Sequence, residues 1–122
     1  MIRTKGLTHI HLIVGDMKRS LRFYKSVFGM RVSFTVGKKL VFLNTPGSRD
    51  LITLHEDRDL ARRVAGTSGG ISHFGFELVK TDLDVAIKEV EEAGGKLLER
   101  GEHEAGVPYA YVGDPDGYVI EL

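Results

Sequence analysis

The pattern of apolar and polar residues in the first half of the chain predicts a strand, a helix and three further strands. Residues 7–14 are apolar and rich in β-forming residues, and Gly15-Asp16 follows as a strand break and helix cap. From Met17 the apolar residues recur at the spacing of an amphipathic helix, which Gly29 ends. Strands are then expected at 30–36, 39–45 and 51–55, with turn residues between them. The predicted order is therefore βαβββ.

The second half repeats this order. A strand is expected over 71–79, and Thr81-Asp82-Leu83-Asp84 resembles a capping box ahead of a helix that Gly94-Gly95 closes. Further strands are expected at 96–100, 107–112 and 118–122. An offset of 64 residues places Thr8-His9-Ile10 on Ser72-His73-Phe74. This internal repeat predicts one domain over 1–122, built from modules 1–56 and 71–122, with a linker at 57–70 that has room for one short helical turn.

The composition of the chain limits which kinds of partner and which kinds of chemistry are expected. The 122 residues suit one domain, and 17 basic against 17 acidic residues provide no bulk charge for binding nucleic acid or an anionic membrane. No stretch approaches the roughly 18 apolar residues of a membrane span, and the start of the chain lacks the apolar segment of a secretory signal. A cytoplasmic protein is therefore expected. With no cysteine, any metal or covalent chemistry must use other side chains, and the histidines are the first candidates.

Two histidines occupy matching positions in the two modules. If the modules pack about a pseudo-twofold axis, His9 and His73 face each other across a cleft, and neutral imidazole is a common metal ligand. Glu121 lies between apolar residues of the last strand, where an unpaired buried carboxylate would be costly. Together the three residues suggest a two-histidine, one-carboxylate metal site. Taken singly, each is more often a hydrogen-bonded strand histidine or a solvated glutamate.

The first module has no carboxylate to match Glu121. Aligning residues 51–54 with 119–122 places Thr53 at that position, and threonine is a poor ligand for a divalent transition metal. Three protein ligands leave coordination positions open for water, dioxygen or substrate, which is typical of a catalytic metal.

These residues and their neighbours resemble the vicinal oxygen chelate superfamily, which includes glyoxalase I, extradiol dioxygenases, methylmalonyl-CoA epimerase, fosfomycin-modifying enzymes and bleomycin resistance proteins. The resemblance is carried by residues 8–12, 23–29, 72–76 and 114–122. It implies an α+β fold of two βαβββ modules, each a curled mixed sheet with one helix. It also implies a divalent metal on His9, His73 and Glu121 that binds adjacent oxygens of a small-molecule substrate. Many members of this size form homodimers in which His9 of one chain completes the site of the other, and the sequence leaves open whether His9 acts within its own chain.

The segment from Gly101 to Glu121 resembles the extradiol dioxygenase signature, with Ala110 where a larger apolar residue is usual. This resemblance implies that His103 and Tyr111 line the site and hydrogen-bond substrate and oxygen. Strand alternation places Tyr111 on one face with Tyr109. The alternative interpretation is a solvated loop around His103 and ordinary strand aromatics.

Two further histidines lie in the first module. His55 shares a strand face with Thr53 and is a candidate general base that titrates near neutrality. His11 follows His9 on the same face, and Gly75 occupies the matching position of the second module. His11 is therefore expected to line the pocket rather than bind the metal.

Two polar segments are interpreted as structural. Residues 114–117, Asp-Pro-Asp-Gly, have the chemistry of a turn. Arg58, Arg62 and Arg63 are interleaved with Asp57 and Asp59, which is typical of a solvated charged turn, although the arginines also suit an anionic ligand.

The leading functional hypothesis is a metal-dependent enzyme, with Fe²⁺ favoured and an extradiol ring-cleaving dioxygenase as its specific form. If the metal is Mn²⁺, Ni²⁺, Co²⁺ or Zn²⁺, isomerase, epimerase, lyase or thiol-transferase chemistry fits better. Thr53 disfavours glyoxalase I, which typically has a carboxylate there. The alternative from another class is a metal-free resistance protein that binds a drug or metabolite.

Overall fold

The computed structural model describes residues 1–79 and 82–122, which contain eight strands and three helices. In the first half these are β1 (Ile10–Val14), α1 (Met17–Phe28), β2 (Arg31–Val36), β3 (Leu40–Asn44), β4 (Ile52–Glu56) and α2 (Arg58–Val64). In the second half they are β5 (Phe74–Gly75), α3 (Leu83–Glu92), β6 (Lys96–Glu102), β7 (Pro108–Gly113) and β8 (Val119–Glu121), with a 3-10 turn at Glu104–Gly106. None of the described helices has the length and apolar character needed to cross a membrane.

The strands form two four-stranded mixed sheets with the same topology. The first sheet has the order β1-β4-β3-β2 and the second has the order β5-β8-β7-β6. In each sheet the first and last strands of the module pair in parallel and the other pairs are antiparallel. The register also shifts at matching places, between Val32 and Phe34 in one sheet and between Leu97 and Glu99 in the other. The α+β fold with two βαβββ units is confirmed.

The strand register places Thr53 at the position that Glu121 occupies in the second sheet. The neighbours of these two positions on adjacent strands are His11 and Phe42 in the first sheet, and Gly75 and Tyr111 in the second. The repeat therefore extends to single residues, and the first sheet has no carboxylate at this place.

Two predicted strands differ from the structure by more than two residues. β1 begins at Ile10 rather than at residue 7, and β5 spans only Phe74–Gly75 rather than 71–79. β5 is an edge strand whose partner β8 has three residues, so only two register pairs form. The apolar residues around β5 satisfy the sequence pattern of a strand, but the register with β8 covers only Phe74 and Gly75.

The helices begin and end largely at the capping residues that the sequence predicts. Asp16 caps α1 by accepting a hydrogen bond from the Arg19 amide at 2.9 Å, and Gly29 ends it at a φ of 62°. Asp82 caps α3 through the amide of Asp84, whereas the capping role predicted for Thr81 lies outside the described residues. The helical turn expected in the linker is α2.

One apolar core lies between the helices and the two sheets. Alternate residues of β1, β3 and β4 point into it, together with side chains of α1 and α3; its fully buried members include Val14, Phe23, Tyr24, Leu43, Leu54, Val90, Val112 and Ile120. Because side chains alternate along a strand, the intervening residues, His11, Phe42 and Tyr111 among them, point to the opposite face of their sheets. The candidate chemistry lies on that face.

The 114–117 turn binds the second sheet to the first module. Asp116 Oδ1 accepts hydrogen bonds from the Gly15 amide at 2.9 Å and from Arg19 Nη2 at 2.8 Å, and Asp116 Oδ2 accepts one from Ser20 Oγ at 3.1 Å. The turn is therefore structural, as predicted, and it also fixes how the two modules sit together.

Asp114 anchors the same turn from inside the core. Its Oδ1 accepts from the amides of Asp116 and Tyr118, both at 2.9 Å, and its Oδ2 accepts from Tyr24 Oη at 2.8 Å. Burial raises the pKa of the Asp114 carboxyl to about 6 despite these three donors.

Candidate functional site

The open face of the second sheet brings together four of the predicted site residues. Glu121 ends β8, and its Oε2 lies 3.3 Å from Nε2 of His73, which directly precedes β5. Glu121 Oε1 lies 2.8 Å from Nε2 of His103, which follows β6. The Tyr111 ring, on β7, meets the His73 ring edge to face at a centroid distance of 4.9 Å. Glu121 is thus the centre of a cluster with two imidazoles and a phenol.

Each aligned histidine is oriented by the hydroxyl residue that precedes it. Thr8 Oγ1 lies 2.8 Å from His9 Nδ1, and Ser72 Oγ lies 3.1 Å from His73 Nδ1. In the tautomer whose Nδ1–H donates to this hydroxyl, Nε2 carries the free lone pair that a metal needs. The signal for this orientation is present in the sequence, because a hydroxyl residue precedes each histidine of the repeat.

The spacing of two possible ligand atoms on the second sheet fits part of a divalent metal site. Two ligand atoms bound about 2.1 Å from one ion lie roughly 3 to 3.4 Å apart, and His73 Nε2 and Glu121 Oε2 are 3.3 Å apart. An imidazole with a carboxylate is a donor set that suits Fe²⁺, Mn²⁺, Co²⁺, Ni²⁺ or Zn²⁺. Among residues 1–79 and 82–122 of one chain, however, no three or more His, Asp or Glu side chains form a group that could hold a metal ion.

His9 lies on the first sheet, apart from this cluster. Its ring meets Phe42 edge to face at a centroid distance of 6.0 Å, and Phe42 is stacked on Phe34 at 4.2 Å. His9 also borders a groove of about 420 Å³ between the two modules. The structure therefore places the two aligned histidines on different sheets of the same chain.

His55 also lies on the first sheet, where it pairs with His11. His11 Nε2 and His55 Nδ1 are 3.3 Å apart. Burial, followed by the neighbouring imidazoles of His55 and His9, lowers the pKa of His11. Thr53 Oγ1, in the same sheet, is buried without a hydrogen-bond partner in the described structure. Within one chain the predicted base His55 is thus beside His11 rather than beside His103 and Tyr111.

The side chain of Tyr109 packs against His103 and is itself held by a hydrogen bond. The Tyr109 ring is stacked on the His103 ring at a centroid distance of 4.4 Å, and Tyr109 Oη donates to Glu99 Oε1 at 2.9 Å. This hydrogen bond is the main cause of a raised pKa at Tyr109. Gly101 pairs with Tyr109 across the strands, and a Cβ added to Gly101 would lie 2.7 Å from Tyr109 Oη.

Sequence reasoning missed Glu99 and Gly101 as parts of this support. The available signal was their alternate spacing on β6, which places both on the strand face that meets Tyr109.

An apolar groove of about 480 Å³ adjoins the Glu121 cluster. His103, Tyr109 and Glu121 form its polar side, and most of its remaining lining is apolar, including Phe76, Leu78, Leu83, Val107 and Leu122. A groove of this composition suits the apolar part of a small molecule whose polar end contacts the cluster.

Comparison with known proteins agrees with this architecture. Residues 6–122 match the family model described as the Glyoxalase/Bleomycin resistance protein/Dioxygenase superfamily. The chain is 28% identical to metallothiol transferase FosB of Shouchella clausii over 119 residues, which cover 96% of this chain and 78% of that protein. It is 32% identical to lactoylglutathione lyase of Neisseria meningitidis serogroup B over an alignment of 125 positions, which covers 95% of this chain and 88% of that protein.

Solved structures show the same fold. The fosfomycin resistance protein FosX from Listeria monocytogenes superposes with a TM-score of 0.78 at 21% identity, covering 98% of this chain and 93% of that one. A mutant of that protein, solved with Mn(II) and 1S,2S-dihydroxypropylphosphonic acid, has a TM-score of 0.77 at 22% identity and covers 98% and 90%. With a family match that extends over nearly the whole chain and two repeated βαβββ sheets, the chain belongs to the glyoxalase/bleomycin resistance protein/dioxygenase superfamily.

Proposed function

We propose that the protein is a metal-dependent enzyme that binds a small substrate through two adjacent oxygen atoms at a divalent metal held by His9, His73 and Glu121. The observation that carries this proposal is the placement of His73 Nε2 beside Glu121 Oε2, with the Nδ1 atoms of both aligned histidines engaged by a neighbouring hydroxyl. The two curated relatives described above are named as a transferase and a lyase, which favours an enzyme over a metal-free binding protein.

The site is completed in a homodimer. His9 of one chain joins His73 and Glu121 of the other, because His9 lies on the first sheet of its own chain, and among the described residues of one chain no three or more His, Asp or Glu side chains form a group that could hold a metal ion. Exposed apolar side chains on β2, namely Val32, Phe34 and Val36, supply surface that a second chain would cover. In this arrangement His55 enters the partner's site from the first sheet and remains the candidate general base.

A bound divalent metal would supply Lewis-acid stabilisation of negative charge on the substrate oxygens. The protein side chains have separate tasks. Tyr111 Oη makes no hydrogen bond within the described residues, and its phenol can donate to a substrate oxygen. His103 contacts Glu121 Oε1 at 2.8 Å, orients that carboxylate and can move a proton at its Nε2 atom. The apolar groove excludes water from one side of the substrate.

Two reaction classes are supported by different observations. Extradiol ring cleavage with Fe²⁺ is favoured by the position of His103 and Tyr111 around Glu121, since the signature these residues resemble assigns both to the substrate site. Lyase or thiol-transfer chemistry with Mn²⁺, Co²⁺, Ni²⁺ or Zn²⁺ is favoured by the names of the curated relatives. Thr53 is buried at the position where glyoxalase I typically has a carboxylate as a fourth ligand. This disfavours glyoxalase I activity, so within the second class thiol transfer is better supported than the lactoylglutathione lyase reaction.

Elemental analysis of protein purified without chelator or affinity metal tests the proposal. We expect close to one equivalent of divalent metal per chain, lost in His73→Ala and retained in His55→Ala, which removes an imidazole from outside the ligand set. Iron, followed by oxygen consumption with a catechol, identifies the dioxygenase. Manganese, cobalt, nickel or zinc with turnover of an epoxide or aldehyde plus a thiol identifies the transferase or lyase. Absence of metal after reconstitution overturns the proposal in favour of a metal-free binding protein.

A further inference from the structure

We infer that the protein has a second ligand site, for a phosphate-bearing small molecule, in a groove where the two modules and α2 meet. This arginine groove has a volume of about 520 Å³, and its charged lining is Arg19, Arg58, Arg62, Asp16 and Asp116, with Gly15 beside them. It shares no residue with the Glu121 cluster, so the inference is independent of the proposed function.

The two carboxylates of the arginine groove are already engaged by the protein. Asp116 accepts hydrogen bonds from the Gly15 amide, Arg19 Nη2 and Ser20 Oγ. Asp16 caps α1 through the Arg19 amide. Both acids are thus held by donors of the first module. The pKa of Asp16 is lowered mainly by the Arg19 amide and also by the charge of Arg58, so Asp16 offsets part of the positive charge of Arg58.

Two guanidinium groups remain available for a ligand. Arg58 and Arg62 are four residues apart on α2, so they project from the same side of the helix. Among the described residues, the ion pairs within 4.0 Å include none of Arg58, and the one of Arg62 is a 4.0 Å contact with exposed Asp59. Guanidinium groups bind phosphate oxygens through paired hydrogen bonds, and two on one helix face suit a single phosphate or diphosphate.

The floor of the groove is built from small residues. Ala61, Ala65 and Pro115 contribute to the lining, and a Cβ added to Gly15 would lie 3.3 Å from Asp116 Oδ1 and 3.5 Å from Arg19 Nη2. Gly15 therefore keeps the space beside the Arg19–Asp116 pair open. An adjoining groove shares Asp16 and Arg58 with this one and is also lined by Lys18, Lys39 and Glu56, which add one net positive charge along this edge.

Calorimetric titration of the full-length protein with sodium pyrophosphate, against sodium chloride of equal ionic strength, tests this site. We expect saturable binding of one equivalent per chain, weakened at least tenfold in Arg58→Gln/Arg62→Gln. Arg63→Gln is the control for charge, because it removes one positive charge, against two in the double variant, from the same helix outside the groove lining. Its affinity should equal that of the parent protein.

Glu121→Gln separates this site from the Glu121 cluster and should bind pyrophosphate as the parent does. Absence of saturable binding overturns the inference and leaves the arginines as a solvated charged surface. A loss of binding free energy per removed charge that is the same in Arg63→Gln and in the double variant also overturns it, because binding would then follow net charge alone. Loss of binding only in Glu121→Gln would assign the pyrophosphate to the Glu121 cluster.

Discussion

Tyr118 of the second module satisfies both backbone groups of Ile13 in the first. Its Oη donates to the Ile13 carbonyl oxygen at 2.8 Å and accepts from the Ile13 amide at 3.1 Å. Ile13 lies on β1, an edge strand of its sheet, so the phenol takes the place of a missing strand partner. Burial raises the pKa of Tyr118 to about 12, which keeps the hydroxyl protonated and able to donate.

Tyr118→Phe should lower the free energy of unfolding by about 1 to 2 kcal/mol, because the half-buried Ile13 amide and carbonyl would lose their partner. Urea unfolding followed by circular dichroism measures the change. Tyr111→Phe is the control, since Tyr111 Oη makes no hydrogen bond within the described residues and its removal should leave stability unchanged. Equal effects of the two substitutions would contradict the structural role of the Tyr118 hydroxyl.

Asp114 should make the protein less stable as pH rises from about 4 to about 6. Its folded-state pKa of about 6 lies above the ordinary aspartate value, so the folded state binds the proton more tightly than the unfolded state. The stabilisation is present at low pH and is lost as pH rises through the folded pKa, by about 2 to 3 kcal/mol at most.

Asp114→Asn isolates this effect. Its amide keeps an acceptor for the two turn amides and offers a donor to Tyr24 Oη, while the titration disappears. The difference in unfolding free energy between parent and variant should therefore change between pH 4 and 6 and become constant above it. A difference that is independent of pH would show that the pKa of Asp114 is the same in the folded and unfolded states.

Gly101→Ala should displace Tyr109 from its place over His103. The new Cβ would lie 2.7 Å from Tyr109 Oη and 2.9 Å from its Cζ, so the ring must move. The hydrogen bond to Glu99 and the stacking on His103 would then be lost. Nuclear Overhauser contacts between the Tyr109 and His103 rings should disappear, and turnover of any substrate found should fall about tenfold or more.

Gly113→Ala is the matched control for this substitution. Gly113 lies on the same pair of strands, and an added Cβ would meet Lys96 and Leu98 side-chain atoms at ordinary distances of 3.6 and 3.8 Å. The Tyr109–His103 contact should persist in this variant. If Gly101→Ala retains the contact as well, the Tyr109 ring does not depend on the missing side chain.

Mixing two variants that each lack one histidine ligand tests whether the metal site is shared between chains. A mixed dimer contains one His9→Ala chain and one His73→Ala chain. One of its two sites then has both histidines, and the other has neither. Co-refolded protein should therefore bind up to half the metal of the parent per mixed dimer, whereas each variant alone binds none tightly. If no metal returns on mixing while a dimer forms, the site is closed within a single chain.

Local signals explain which parts of the fold could be predicted. The cap at Asp16 and the left-handed Gly29 lie next to the helix they bound, so the limits of α1 follow from neighbouring residues. The equivalence of His9 and His73 follows from the repeat spacing, and the register of the two sheets agrees with it. The sequence pattern overestimates the length of β5. The length of a strand depends on its partner, which here is the three-residue strand β8 at the other end of the module.

The sequence by itself determined the repeated βαβββ order, the aligned histidines, the absence of cysteine chemistry and the threonine that replaces a carboxylate in the first module. Only the tertiary structure decided which of these residues meet. It brought His73 and His103 to Glu121, paired His55 with His11, and joined Tyr118 to Ile13 across 105 positions of the chain. The physical reason is that side-chain periodicity assigns a residue to a strand face, whereas the neighbours it meets there depend on strand pairing and on the packing of the two sheets.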